Sequence, residues 1–128
     1  MPKRLEVYRH KAQYYETDEM GIIHHSNYIR WFEEARVDAL DQIGLNYAKM
    51  EERGVRIPVL SILCEYRSPV HFNDVVLIIP KIVIFTGVKM IISYRIIDEK
   101  SGELRTTGES KHCFLDLMDI ELHFLVFL

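Results

Sequence analysis

The chain has 128 residues, 48% of them hydrophobic, and a formal net charge of −3. That length supports one domain with a hydrophobic core, and the slightly acidic balance argues against a nucleic-acid partner. The sequence contains no run of about 18 uninterrupted apolar residues, so no membrane span is expected.

The N-terminal part of the chain predicts a strand, a polar loop and a long helix, in that order. The strand is expected over residues 5–15 and the loop over residues 16–25. Apolar side chains then recur at spacings of three and four, which predicts a helix over residues 27–43 with one buried face. That face comprises Tyr28, Phe32, Ala35, Ala39 and Ile43.

Polar residues and glycines mark the ends of the predicted helices. Ser26 or Asn27 is expected to cap the start of the long helix, and Gly44 to end it in a left-handed conformation. A shorter helix is expected over residues 46–53, because Gly54 follows it.

The C-terminal part is rich in Ile, Val, Tyr and Phe and predicts four strands, over residues 55–67, 75–85, 88–98 and 103–115. Short turn segments separate them, so neighbouring strands should be antiparallel. The predicted fold is α+β, with a five-stranded antiparallel sheet wrapped around the long helix. Because such a sheet has open edges, we expect a homo-oligomer.

The ends of the chain and its cysteines bear on location. The N-terminus is charged and lacks an apolar signal core, and Cys64 and Cys113 match no metal-ligand spacing. We therefore expect a cytoplasmic protein with free thiols. The tail, residues 117–128, ends in six uncharged residues, which leaves three readings open: cover for a ligand pocket, part of an oligomer interface, or a shifted reading frame.

The most informative stretch is YETDEMGIIHHSNYIRWFEEAR, residues 15–36. The first backbone N–H groups of a helix have no partner within the helix and attract negative charge. Asp18 lies in the loop that returns to this helix entrance, and Gly21 lets the loop bend. A carboxylate facing free amides supplies the minimum parts for acyl transfer, an anion and donors for the carbonyl oxygen.

Simpler interpretations of the same residues stay open. Asp18 could only cap a turn. His24 and His25 are poor metal ligands, because adjacent histidines should point apart and no third ligand is evident, so no metal site is expected. Glu33 or Glu34 could serve as the catalytic carboxylate, although solvated pairing with neighbouring arginines is the commoner use of such residues.

The stretch resembles the motif of the 4-hydroxybenzoyl-CoA thioesterase-like branch of the hotdog-fold acyl-CoA thioesterases, including the Tol-Pal-associated type. The matching residues are Tyr15, Thr17, Asp18, Gly21, Ile22, Ile23, His25, Tyr28, Ile29, Trp31, Phe32, Glu33, Ala35 and Arg36. Residues 66–74 resemble the connection after the family's second strand, and residues 108–116 its last strand. The tail departs from the family pattern.

The resemblance implies hydrolysis of an acyl-CoA thioester to free acid and CoA, with no metal or redox cofactor, since CoA is part of the substrate. It assigns the catalytic carboxylate to Asp18, as nucleophile or general base, and the oxyanion donor to the backbone N–H of His25. The His25 side chain matches the histidine of the Tol-Pal-associated type, for which a role in catalysis is implied. Candidates for substrate contacts are Gly21, Tyr28, Arg67, Ser68 and Lys89. The implied assembly is a homodimer with one continuous sheet, with a dimer of dimers as the alternative.

Two other functions compete with hydrolysis. A hotdog hydratase would add water to an enoyl thioester, but that branch spaces its Asp and His as D-x-N-P-x-H, which this sequence lacks. A non-catalytic protein would hold acyl-CoA without turnover. The acyl group, aromatic or aliphatic, short or long, is not encoded in any motif found here.

Overall fold

The computed structural model describes residues 6–116, in which one long helix packs against an antiparallel sheet. The helix, α1, spans Ser26–Gln42, and a short helix, α2, spans Tyr47–Glu52. The main sheet has the order β1-β4-β5-β6-β3. Its strands are β1 (Tyr8–Lys11), β3 (Val59–Tyr66), β4 (Val75–Phe85), β5 (Lys89–Asp98) and β6 (Leu104–Cys113), and a second, two-stranded sheet joins β2 (Val55–Arg56) to β7 (Leu115–Asp116).

All neighbouring strands of both sheets pair antiparallel. The predicted α+β class, with an antiparallel sheet around the long helix, is confirmed. The predicted helix bounds agree with α1 and α2 to within one residue at each end. Gly44 has φ 87°, as expected of a glycine that ends a helix in the left-handed conformation.

The buried face of α1 forms the centre of the core. Tyr28, Phe32, Ala35 and Ala39 are buried, and Ile43 packs against their cluster. Trp31 is buried as well, beside this stripe. The spacing of apolar residues therefore predicted correctly which side of α1 faces the sheet.

Phe32 packs closely between α1 and the sheet. Its ring stacks on the ring of Tyr94 in β5, with centroids 4.4 Å apart. A Cβ atom added to Gly108 in β6 would lie 2.4 Å from the Phe32 ring and 2.9 Å from the Leu63 carbonyl oxygen. The absence of a side chain at Gly108 thus lets the helix approach the sheet.

The first predicted strand, residues 5–15, is wrong in extent. β1 ends at Lys11, and Tyr14–Glu16 forms a turn of 3₁₀ helix. The cause is a side chain acting on the backbone, because the Glu16 carboxylate accepts the Gln13 N–H at 2.8 Å. This bond closes the chain into a turn where the sequence continues with aromatic residues typical of a strand.

The predicted strand over residues 55–67 is also wrong, because it is two strands. Pro58 separates β2 from β3. Proline has no N–H to donate to a ladder, so a break at this position agrees with its chemistry. β2 then pairs with β7 instead of continuing along β6.

The predicted cap of α1 is wrong in its residue. Neither Ser26 nor Asn27 caps the helix; Ser26 is its first residue and His25 stands at the N-cap without a side-chain cap bond. Instead, the Ser26 N–H donates to Nδ1 of His24 at 3.2 Å.

Two earlier expectations concern residues that the structure does not describe. The apolar tail, residues 117–128, lies outside the described residues, as does the start of the first predicted strand. Within residues 6–116, no helix is long and apolar enough to cross a membrane.

Candidate active site

The loop that carries Asp18 is closed by backbone hydrogen bonds. The Asp18 N–H donates to the Ile22 carbonyl oxygen at 2.8 Å, and Thr17 bridges to Ile23. Gly21 makes the bend at φ 78°, where a residue with a Cβ would be strained. Ile23 in turn donates to the carbonyl oxygen of Val70 at 2.8 Å, so the loop is held against the segment between β3 and β4.

Among the described residues, only one oxygen of the Asp18 carboxylate accepts a hydrogen bond. Its Oδ1 accepts the Met20 N–H at 2.7 Å, which is the turn-capping bond that the simpler interpretation predicted. Within the described residues its second oxygen has no hydrogen-bond partner. Asp18 therefore caps its turn and still presents a free carboxylate oxygen.

The amides at the start of α1 are not all equivalent. The N–H of Ser26 donates to His24 Nδ1, that of Asn27 to the His24 carbonyl oxygen at 3.0 Å, and that of Tyr28 to the His25 carbonyl oxygen at 3.3 Å. Across residues 6–116, the His25 N–H donates no hydrogen bond. A single free donor is thus left at the helix entrance.

Asp18 and His25 line one pocket of about 360 Å³. The other lining residues are Ile22, Ile23, Tyr28, Tyr66, Arg67, Ser68 and Pro69. The structure thereby brings together five of the seven predicted site residues, namely Asp18, His25, Tyr28, Arg67 and Ser68. Gly21 shapes the loop from outside this lining.

Lys89 is the predicted site residue that the structure does not bring there. Lys89 opens β5 and pairs with Cys113, whereas Tyr66 pairs with Thr106, which pairs with Ile96. Seven residues of extended strand separate Lys89 from Ile96, which is about 23 Å at 3.3 Å per residue. Within one chain, Lys89 lies at the other end of the sheet.

Two tyrosines join the helix entrance to the end of β3. The Tyr66 hydroxyl donates to the His25 carbonyl oxygen at 3.1 Å, and the Tyr28 hydroxyl accepts the Val70 N–H at 3.3 Å. Their rings meet edge to face with centroids 5.0 Å apart. Burial raises the pKa of Tyr28, and burial together with a hydrogen bond to Cys64 raises that of Tyr66, so both phenols are protonated at neutral pH.

Arg105 holds the connection that supplies Arg67 and Ser68. The Arg105 carbonyl oxygen accepts the N–H groups of Arg67 and Ser68, at 2.9 and 3.1 Å. Its guanidinium donates to Ser68 Oγ at 3.0 Å and to the Pro69 carbonyl oxygen at 3.3 Å. Ser68 is thus bound within the protein, whereas Arg67 is an exposed cation at the pocket.

The rings of His24 and His25 do not point apart, contrary to the prediction. Their rings stack with centroids 4.2 Å apart, because the backbone of His25 is helical while His24 bonds to Ser26. Over residues 6–116, no group of three His, Cys, Asp or Glu side chains is placed to hold a metal ion.

A larger cleft, of about 630 Å³, lies between β1, α1 and α2. Its lining includes the carboxylates of Glu33, Glu34, Asp38 and Asp41. These four acids would repel a ligand that carries phosphates. Glu33 and Glu34 therefore belong to an acidic surface away from Asp18.

Comparison with known proteins agrees with this fold. The family model "Thioesterase-like superfamily" matches residues 13–121. The chain belongs to this superfamily, and its fold is the hotdog fold of thioester hydrolases.

Three relatives illustrate the similarity. The YneP protein of Bacillus subtilis (strain 168), described as a candidate acyl-CoA thioesterase, is 34% identical over 83% of this chain and 76% of its own length. A candidate esterase of Aquifex aeolicus (strain VF5) is 48% identical over 54% of each chain, so the match spans about half the length of that relative. A DHNA-CoA thioesterase from Staphylococcus aureus superposes with a TM-score of 0.84 at 32% identity, covering 90% of this chain and 76% of that one.

Two contributors to the site, Tyr66 and Arg105, were not predicted from the sequence. A tyrosine that ends a strand directly before Arg-Ser-Pro was a usable signal for Tyr66, because the connection after it was already a candidate site. Arg105 acts through contacts that no local pattern indicates.

Proposed function

We propose that this protein hydrolyses acyl-CoA thioesters, with Asp18 as the catalytic carboxylate and the His25 backbone N–H as the oxyanion donor. One observation carries the proposal: Asp18, which has a free carboxylate oxygen, and His25, whose N–H has no acceptor within residues 6–116, line the same pocket. A preorganised donor of this kind stabilises the charge that develops on a thioester oxygen.

The reaction can follow two routes from the same geometry. In one, Asp18 takes a proton from water while the water oxygen bonds to the carbonyl carbon; the C–S bond then breaks and CoA leaves as the thiol. In the other, Asp18 attacks the carbonyl carbon, the thiolate leaves, and water hydrolyses the mixed anhydride. After single turnover in ¹⁸O-labelled water, label in Asp18 would identify the second route with water attacking the Asp18 carbonyl of the anhydride, because the first route puts label only into the released acid.

Substrate binding is proposed to use Arg67 and Tyr28. Arg67 is the exposed cation that lines the pocket, so it suits a CoA phosphate. Tyr28 and Ile22 give the pocket apolar surface for the acyl group. A role of Lys89 in substrate binding stays a prediction. The cytoplasmic location also stays a prediction, and the free thiols of both cysteines agree with it.

We also propose a homodimer formed through β3, an edge strand of the main sheet. Leu60, Leu63 and Tyr66 on this strand are exposed in the single chain. An unpaired edge with large apolar side chains is a natural site for pairing with a second copy.

The proposal is tested with Asp18→Asn. The amide oxygen can still accept the Met20 N–H, so the loop should keep its shape, while the anion is lost. We expect kcat to fall by about 10²- to 10⁴-fold, measured as CoA thiol release across a panel of short, long and aromatic acyl-CoAs. Asp18→Ala provides a second variant that cannot revert by deamidation.

Other outcomes of the same assay would overturn the proposal. Unchanged turnover in both Asp18 variants on the best substrate would remove Asp18 from the mechanism. Tight binding of acyl-CoA by the unaltered protein with no thiol release from any substrate would identify a non-catalytic binder. Loss of enoyl absorbance from crotonyl-CoA without thiol release would identify a hydratase.

A further inference from the structure

Glu16, two residues before Asp18, is a buried carboxylate outside the pocket lining. Only 5% of the Glu16 surface is exposed to solvent. Three donors surround it: His10 Nε2 at 2.9 Å, the Gln13 N–H at 2.8 Å and Trp31 Nε1 at 2.7 Å. A buried carboxylate is costly unless it is fully hydrogen-bonded, and this one is bonded on both oxygens.

Groups from each neighbouring element face this cluster. His10 belongs to β1 and packs against the Trp31 ring, with centroids 4.7 Å apart and the ring planes tilted by 42°. Glu34 on α1 approaches the other side of His10, with Nδ1 and Oε2 3.8 Å apart. Burial alone would raise the pKa of Glu16, but the hydrogen bonds from His10, Gln13 and Trp31 outweigh it and lower the pKa. Glu16 is therefore ionised at neutral pH and accepts from all three donors.

The main chain of Glu16 closes the loop that carries Asp18. The Glu16 carbonyl oxygen accepts the His24 N–H at 2.8 Å and the Asn27 side-chain amide at 2.9 Å. Residues 17–23 therefore leave and return at the same point, directly before the helix entrance. Through its side chain the same residue is anchored to Trp31, one turn into α1.

We infer that Glu16 is a positioning residue for the reaction: it fixes the loop bearing Asp18 to the helix that presents the His25 N–H. The inference rests on the proposed function, because it concerns the distance between those two groups. Small displacements of reacting groups reduce turnover strongly, while distant contacts that bind the substrate are little affected. Within residues 6–116, Arg67 and Ser68 on the opposite side of the pocket make no hydrogen bond to this cluster.

The test is Glu16→Gln. A glutamine amide has one acceptor oxygen where the carboxylate has two, so Trp31 Nε1 and the pair His10 and Gln13 cannot all be satisfied. We expect kcat to fall by about 10- to 100-fold with KM for acyl-CoA within about threefold of the original value. Because Trp31 is the only tryptophan in the sequence, its emission spectrum should also shift, which reports on the cluster directly.

Glu34→Gln is the matched control. It makes the same chemical change beside the same histidine, but Glu34 has no contact with the Asp18 loop, so kcat should stay within about twofold. Kinetics are measured well below the melting temperature of each variant, so that a merely structural role would change stability and leave kcat of the folded protein unchanged. Trp31→Phe, which removes one donor and keeps Glu16, should lower kcat in the same direction.

The outcomes separate this inference from the proposed function. A folded Glu16→Gln variant with unchanged kcat, alongside an inactive Asp18→Asn variant, would overturn the inference and keep the function. If Glu16→Gln does not fold, Trp31→Phe decides: unchanged kcat there overturns the inference. A rise in KM without loss of kcat would assign the cluster to substrate binding and also overturn it.

Discussion

The hydroxyl of Tyr66 lies 3.1 Å from the carbonyl oxygen of His25, and this bond ties the end of an edge strand to the start of α1 across 41 residues of sequence. The same residue, His25, carries the free N–H. Removing the hydroxyl with Tyr66→Phe should loosen that residue and lower kcat by about 3- to 10-fold, the worth of one neutral hydrogen bond. Steady-state thiol release measures this.

Tyr15→Phe is the control for that substitution, because Tyr15 is 82% exposed. It removes the same atom at a position away from the pocket lining. A Tyr66→Phe variant with raised KM and normal kcat would show that Tyr66 contacts the substrate instead of positioning His25.

Tyr28→Phe should lower the free energy of unfolding, and this loss should be its main effect. The Tyr28 hydroxyl accepts the N–H of Val70, and Val70 is completely buried. Leaving a buried N–H without an acceptor costs about 1–3 kcal/mol in the free energy of unfolding. Urea denaturation checks this, and a change below about 0.5 kcal/mol would show that water reaches the Val70 amide.

Gly108→Ala should destabilise the protein by about 1–3 kcal/mol, because the new Cβ would overlap the Phe32 ring. Combining it with Phe32→Leu should recover part of that loss, since the smaller side chain leaves room. The two changes would then be non-additive in denaturation experiments. Strict additivity would show that the cost of Gly108→Ala does not arise from contact with Phe32.

Stability should fall between about pH 6.5 and pH 4 through His112. Burial, followed by the nearby Arg36 charge, lowers the pKa of His112 to about 4 from an ordinary value of 6.5. Between these values the unfolded chain binds a proton that the folded chain does not, so acidification favours unfolding, by about 3 kcal/mol in total. Above pH 6.5 and below pH 4 this residue adds no further dependence.

His112→Gln isolates that effect, because glutamine does not titrate. The free energy of unfolding, followed by denaturant titration from pH 7.5 to pH 4, should fall less steeply in the variant. Equal slopes in both proteins would show that the folded protein accommodates a protonated His112.

The proposed dimer predicts that Leu63→Glu yields a monomer. Leu63 is 55% exposed on β3, and a charge there would be buried unpaired in an interface. Light scattering should give a mass near twice 15.2 kDa for the unaltered protein and near 15.2 kDa for the variant. Val83→Glu, an equally exposed apolar position on β4, should stay dimeric.

The sequence predicted α1 well because an amphipathic stripe reports directly on burial, and it predicted β4 to the residue because turn signals bound it. It also placed Asp18 and His25 together, since both belong to one short motif. It missed the ends of β1 and β3, where a single side chain or a proline overrides strand propensity.

Contacts distant in sequence were beyond prediction for a physical reason. The bonds from Tyr66 to His25, from Trp31 to Glu16 and from Arg105 to Ser68 depend on packing of several elements. Periodicity records which side of an element is buried, but not which atoms meet there. The place of Glu16 at the centre of a hydrogen-bonded cluster is therefore visible only in three dimensions.

The close approach of Gly108 to Phe32 also limits how the sheet can assemble. Gly108 is the one glycine in β6, and it lies opposite Cys64 in β3 and Tyr94 in β5. Sliding β6 by two residues along its neighbours would place Thr106 or Ser110 under the Phe32 ring, and either side chain would clash. Gly108 therefore specifies the register of β6 during folding, because only one alignment of the strands lets the helix pack onto the sheet.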